Sequence, residues 1–218
     1  MKRRLRPARP ILLPIWTALL AVAERIKRAL EGTMPRGGIR PLTEPEFEEM
    51  VARFPYYGGR WGYMSAALSQ AETLIRRRRA RTALELGVPV RPIIVGADAM
   101  DITARPELDP AVRMTLHDAT ETPWPIGDKG YDIFMALQVF EHLGDGQRNA
   151  FLEVRRIARH AIISLPIEWV MDDPMDKHHG ITNERALSWF APVVPSRIVE
   201  GSPGKRRRVI YVFEDLPA

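Results

Sequence analysis

The chain has 218 residues, 45% hydrophobic and 27% charged. That length suits one ordinary domain plus an extension, and the balance excludes wholesale disorder, collagen-like repeats and coiled coil. Thirty-two Lys and Arg against 27 Asp and Glu give a net charge of +5, and the lack of any cysteine removes disulfides, thiolate nucleophiles, iron–sulfur clusters and thiolate zinc sites.

The excess charge is local. Residues 1–40 hold ten basic and two acidic residues, a balance of +8, so residues 41–218 carry −3. Lys2, Arg3, Arg4, Arg6 and Arg9 precede a 13-residue apolar run, 11–23, interrupted by Pro14 and Thr17 and followed by Glu24-Arg25-Ile26-Lys27-Arg28. The run is short for a span, which needs about 20 apolar residues. Three readings fit the order: a secretory signal peptide ending near Ala21-Val22-Ala23, a helix lying on an anionic membrane surface, or an extension packed on the protein itself. The domain organisation expected is a basic and apolar extension at 1–40, a helical cap or lid at 41–80, and an α/β domain at 81–218.

Thr43-Glu44-Pro45-Glu46 predicts a capping box opening a helix to about Arg53. Pro55-Tyr56-Tyr57-Gly58-Gly59-Arg60-Trp61-Gly62-Tyr63 follows as an aromatic, turn-rich loop. Apolar residues at helical spacing from Met64 to Ile75 predict a helix over 64–79. Its terminal Arg76 to Arg79 suit the negative end of the helix dipole. Strands are predicted at 82–86, 93–100, 114–117, 131–137 and 161–165, with helices at 147–158 and near 183–190. Arg197 to Glu200 and Arg207 to Phe213 flank Gly201-Ser202-Pro203-Gly204 and read as a hairpin. Alternating strands and helices argue a parallel sheet covered on both faces, here closing on an antiparallel pair.

Within this pattern Glu85-Leu86-Gly87 ends the first strand, and Asp101 ends the second where an acid bonds a ribose in dinucleotide-type folds. Asp118-Ala119 follows the third, Tyr131-Asp132 opens the fourth, and that strand runs out into Gln138-Val139-Phe140-Glu141-His142-Leu143. The succession resembles the class I S-adenosylmethionine-dependent methyltransferases, in particular the type 11-like group, over about residues 60–215. The resemblance implies a Rossmann-like seven-stranded, mostly parallel sheet with a C-terminal antiparallel β-hairpin and helices on both faces. It implies S-adenosyl-L-methionine as cofactor, with Glu85 and Gly87 near its methionine part, Asp101 near the ribose, Asp118 and Ala119 near the adenine, and Gln138 at the methyl-transfer mouth. Arg60, Trp61 and Tyr63 fall where similar enzymes fold a lid over cofactor or substrate. One departure stands out: Gly87 is followed by Val88-Pro89-Val90-Arg91-Pro92, where the family has glycines and the start of a crossover helix.

Methyl transfer needs alignment more than acid–base chemistry, and where a base helps, histidine suits it. His142 follows the fourth strand, and His178 and His179 follow the acidic stretch Asp172 to Lys177 after the fifth; these are the candidate catalytic residues. The stretch shows no ligand motif of fixed spacing, so no metal is expected. The expected function is therefore O- or N-methylation of a small-molecule or sugar/lipid-type acceptor. A non-catalytic binding or scaffold protein is the alternative, motivated by Val88 to Pro92. A nucleic-acid partner is not expected, because the body is acidic and no Asn/Asp-Pro-Pro-aromatic tetrapeptide follows the fourth strand. An intracellular cofactor favours the cytoplasm over export, with peripheral membrane contact through residues 1–30 as the use for the charged extension.

Overall fold

The computed structural model describes residues 38–217, with the exception of Pro89, Arg105, Pro174, Pro203 and Lys205. Segment 1–37, with its signal-peptide and membrane-surface readings, lies outside the described residues. Among the described residues no helix is long and apolar enough to cross a membrane.

The described chain opens with a two-residue strand, β1 (Arg40–Pro41), and then α1 (Glu44–Arg53), which begins in the predicted capping box. Glu46 closes that box by accepting the Thr43 amide at 2.9 Å, and its carboxylate also pairs with Arg40 at 2.6 Å. α2 (Trp61–Arg78) buries Tyr63, Met64, Ala67, Leu68, Ala71 and Leu74 along one face, the stripe that helical spacing requires. Its last turn carries Arg76, Arg77 and Arg78, and Arg78 pairs with Glu214 at 2.8 Å and Asp215 at 3.0 Å.

The sheet then builds through β2 (Ala83–Leu86), β4 (Asp98–Asp101), β5 (Met114–Leu116), β6 (Tyr131–Leu137), β7 (Ala158–Pro166), β8 (Arg197–Ser202) and β9 (Arg208–Phe213). Their order across the seven-stranded sheet is β5-β4-β2-β6-β7-β9-β8. The first five run parallel, and β9 lies antiparallel between β7 and β8. This is the expected Rossmann-like sheet with its C-terminal antiparallel hairpin. The one strand predicted over 93–100 is two: β3 (Ile94–Val95) pairs antiparallel with β1, and Gly96, with φ +84°, turns the chain before β4. The strand propensity of Ile93 to Val95 and of Ala97 to Met100 hides the turn, and Gly96 is its only local sign.

Both faces are covered, but the covering is uneven. On one face α3 (Gln147–Ile157) and α4 (Asn183–Phe190) pack on Phe134, Ile163, Tyr211 and Phe213. On the other, α1 and α2 pack on Ile133, Met135, Ile162, Ile210 and Val212. The segment expected as a cap, 41–80, thus supplies one whole layer of the domain, and residues from Gly38 onward belong to a single compact unit. Neither the β2–β4 nor the β4–β5 connection contains a helix among the described residues. Between β5 and β6, Trp124 is buried in the core with its ring tilted against Phe134, centroids 5.9 Å apart.

β2 and β6 are central neighbours whose far ends carry the candidate site, and their near ends are clamped by one carboxylate. Asp132 Oδ2 accepts the Arg81 and Thr82 amides at 2.7 and 3.1 Å. Removing it as Asp132→Ala leaves two strand-entry amides to weaker partners, a loss of about 1–2 kcal/mol. Urea denaturation should show that loss, with a smaller one for Asp132→Asn; equal stability of Asp132→Ala and wild type would contradict the clamp.

Candidate active site

In an open parallel sheet the crevice lies beyond the C-terminal strand ends, where the strand order reverses. Here the chain leaves β2 outward to β4 and β5, then returns to β6 on the other side of β2. The reversal point therefore falls between Leu86 and Leu137. A cleft opens there, lined by Glu85 and Gly87 from the end of β2, by Gln138 from the end of β6, by Arg91 from the short crossover, by Tyr56, Tyr57 and Arg60 from the aromatic loop, and by Tyr63 from the first turn of α2. Its enclosed space is about 80 Å³, well below the 300–1,000 Å³ of a typical ligand pocket.

The crossover explains both the place and the tightness. With no helix after β2, the chain folds straight back, and the Glu85 side chain receives it. One oxygen accepts the Ile93 amide at 3.0 Å and the other the Ile94 amide at 2.5 Å. The Ile93 carbonyl in turn accepts the Leu42 amide at 2.8 Å, which laces the start of the described chain to the same point. Glu85, expected as a cofactor contact, thus borders the cleft while both its oxygens hold backbone. Burial pushes its carboxyl up to about 7, against the downward pull of the two amides and of Arg91.

Gly87 has φ +76°, and a Cβ there would meet Val139 Cγ2 at 2.6 Å. The turn needs glycine on both counts. Gln138 holds φ +59° without being glycine, a costly conformation that surrounding structure must enforce. The enforcement is visible: its amide donates to the Ser164 carbonyl at 3.1 Å and its side-chain Nε2 to Ser164 Oγ at 3.3 Å. In the loop, Arg60 Nε donates to the Tyr56 carbonyl at 2.9 Å, with its guanidinium 4.0 Å from the Tyr56 ring centre.

Other expected cofactor contacts stand outside the lining of this cleft. Asp101 is buried at the end of β4 and accepts the Thr103 amide at 3.1 Å. Asp118 closes a local turn on the Thr120 amide at 2.8 Å, and the Ala119 carbonyl accepts the Trp124 indole N–H at 3.2 Å. Trp61, expected as a substrate or lid residue, also stands outside this lining: it packs on Phe47 at 5.0 Å and lines a separate surface groove with Phe47 and Val51. An aromatic on the back of a helix start buries against the nearest apolar neighbour, whatever loop it belongs to.

The histidines gather beyond the other side of Gln138. His142 and His178 meet edge to face at 4.8 Å, and His178 stacks on Trp169 at 5.6 Å. His178 Nδ1 lies 2.7 Å from Asp176 Oδ1, while its Nε2 lies 3.9 Å from Glu141 Oε1. His179 turns away, its Nδ1 accepting the Met171 amide at 3.1 Å, so it serves the loop. Burial pushes His142 below its usual value, helped by the neighbouring His178. Burial likewise lifts the Glu141 carboxyl to about 8, against smaller pulls from its own amide and from Arg208.

The sequence places Arg208 within the hairpin strand Arg207 to Phe213 and does not by itself show its neighbours across the fold. Its guanidinium lies 4.5 Å from the Tyr63 ring centre and 4.8 Å from that of Trp169, so it joins the cleft wall to the histidine cluster. The available signal is the register of the hairpin, since Arg208 pairs with Pro166 at the end of β7.

No protein-family model and no curated protein matches the chain. Solved structures do. The N-methyltransferase NodS from Bradyrhizobium japonicum WM9, in complex with S-adenosyl-L-homocysteine, superposes with a TM-score of 0.53 at 10% identity, covering 78% of this chain and 97% of that one. A chain from the complex between the Haloferax volcanii Trm112 methyltransferase activator and a candidate methyltransferase matches with a TM-score of 0.53 at 13% identity, covering 80% and 97%. The fold is therefore that of the S-adenosylmethionine-dependent class I methyltransferases, as the strand-end motifs imply.

The Glu85 carboxyl sets a pH test of the compressed crossover. A carboxyl whose pKa is raised in the fold binds its proton more tightly there than when unfolded. Its contribution is complete below about pH 4.5 and is lost as pH climbs through about 7. Across that window wild type should lose stability relative to Glu85→Gln, on the order of 3 kcal/mol. Urea titrations of the two chains at either end of the window check this; a difference that stays constant with pH would overturn it.

Proposed function

We propose that the protein is an S-adenosylmethionine-dependent methyltransferase acting on a small-molecule or sugar/lipid-type acceptor at oxygen or nitrogen. The observation that carries this reading is the cleft at the reversal point between β2 and β6, bordered by Gly87, Gln138 and the aromatic loop. Arg60 and Arg91 supply positive charge there for the carboxylate of the cofactor's methionine part. The NodS structure was solved with S-adenosyl-L-homocysteine, the product form of that cofactor. Bound in that cleft, the cofactor would supply a methyl group activated on a sulfonium, with the leaving thioether keeping the electron pair. The residues of this chain would then align the acceptor and take its proton at a base. His142, whose pKa partial desolvation and the neighbouring His178 lower, suits the last role.

The tight cleft requires the aromatic loop to lift before a nucleoside cofactor enters. Gly58, Gly59 and Gly62 supply the backbone freedom for such a lid, and Gly59 already sits at φ +71°. The same tightness favours the second reading, a methyltransferase-fold protein that binds partners without catalysis. Calorimetry with S-adenosyl-L-homocysteine separates the two: stoichiometric micromolar binding supports the enzyme, and no heat at millimolar ligand sinks it.

Two substitutions refine that test. Arg60→Ala should weaken binding by about tenfold, equivalent to ~1.4 kcal/mol. Gln138→Gly relieves the positive φ, so its unfolding free energy should hold or rise by up to about 1 kcal/mol while methyl transfer falls. A Gln138→Gly chain with wild-type turnover would remove Gln138 from the transfer mouth.

A further inference from the structure

We infer that Glu141, His142 and His178 form a binding site for one divalent cation of the zinc class, placed beside the end of β6. The donor atoms of these three residues lie within 4.8 Å of one another. Ligand atoms around a single zinc ion stand roughly 3–4 Å apart, so closure of about 1 Å completes the set. His142 is exposed and His178 half-buried, which gives them room to swing and gives an ion a path in. This reverses the expectation of no metal, which rested on the lack of a ligand motif in sequence. His142 and His178 reach each other only through the fold.

Two observations independent of the clustering point to a ligand. The Glu141 side chain is fully buried, yet neither of its oxygens completes a hydrogen bond among the described residues. A buried polar group left unmatched costs roughly 1–3 kcal/mol or more when charged, and a cation between Glu141 and His178 would satisfy it. The second observation is the orientation of His178. Asp176 holds Nδ1 at 2.7 Å and so leaves Nε2 facing Glu141. A carboxylate behind the far nitrogen of a metal-binding imidazole fixes the ring and its tautomer in just this way. Trp169, stacked on the same ring, limits its remaining freedom.

Two imidazoles and one carboxylate favour zinc over magnesium or calcium, which prefer all-oxygen sets. Three protein ligands leave at least one position open for water or another oxygen. Under the methyl-transfer reading that position would take an acceptor oxygen, and the bound ion would replace His142 as the means of activating it; binding of the ion does not depend on that reading.

The test uses the full chain stripped with a chelator and titrated with zinc chloride, without cofactor. One equivalent should bind, and His178→Ala and His142→Ala should each weaken binding at least tenfold. Asp176→Asn, a positioning change, should weaken it 10- to 100-fold while leaving the stoichiometry at one. The chain has five histidines, so imidazole resonances of wild type supply a readout that survives a misfolded variant. Zinc should shift those of His142 and His178 and spare His117 and His160. No stoichiometric binding at millimolar zinc would overturn the site, as would shifts confined to other histidines or undiminished affinity in both alanine variants. Cofactor binding measured separately keeps a failure here distinct from a failure of the methyltransferase reading.

Discussion

The structure depends most on one carboxylate receiving two amides. Glu85 projects from the second central strand toward the face that α2 covers, and its oxygens take the Ile93 and Ile94 N–H groups. A parallel pair needs a crossover, usually a helix, and β2 and β4 are joined by a connection that contains none. Without a helix to satisfy its own backbone, the returning chain needs an acceptor under it, and Glu85 is that acceptor. The same choice brings residues 88–93 down onto the strand ends. It also lets β3 pair with β1, so that α1 and α2 take over the layer a crossover helix would have provided.

What was legible in the sequence follows from the range of the forces involved. The helices at 44–53, 147–157 and 183–190, and the central strands, rest on local spacing of apolar residues. They therefore show in the chain itself. The split of 93–100 into β3 and β4 does not, because Ile93, Ile94 and Val95 are as apolar as Ala99 and Met100 and only Gly96 separates two partners in different sheets. Strand-end positions are legible as well: Gly87 and Gln138 both come to the cleft. What each acid does there is not, since Asp101 and Asp118 sit at the expected ends and each also gives one oxygen to its own turn. Spacing reports where a residue falls along a strand, and hydrogen bonding decides whether its side chain is left for a ligand.

The half of the site that the sequence concealed is assembled across the hairpin. Arg208 enters β9 opposite Pro166, where the antiparallel insertion of that strand sets it between Tyr63 from the N-terminal layer and Trp169 beyond β7. Burial lowers the Arg208 pKa, with Tyr63 and Glu141 pulling the other way. A half-buried guanidinium gains from compensating electron density, and two aromatic rings supply it. Arg208 therefore ties the start of α2 to the segment that carries Trp169 and His178 through packing.

That tie bears on how the molecule would work. Tyr63, on the buried face of α2, borders the β2–β6 cleft and shares Arg208 with Trp169, the ring that stacks on His178. The cleft and the histidine cluster therefore have one guanidinium as a common neighbour, and its position bears on both. Gln138 stands at the junction: its strained backbone is pinned by Ser164 on β7, and the turn that follows presents Glu141 and His142. Contacts of a guanidinium with two rings are worth about 0.5–2 kcal/mol each, enough for Arg208 to hold Tyr63 and Trp169, and with them the walls of the two sites, in place.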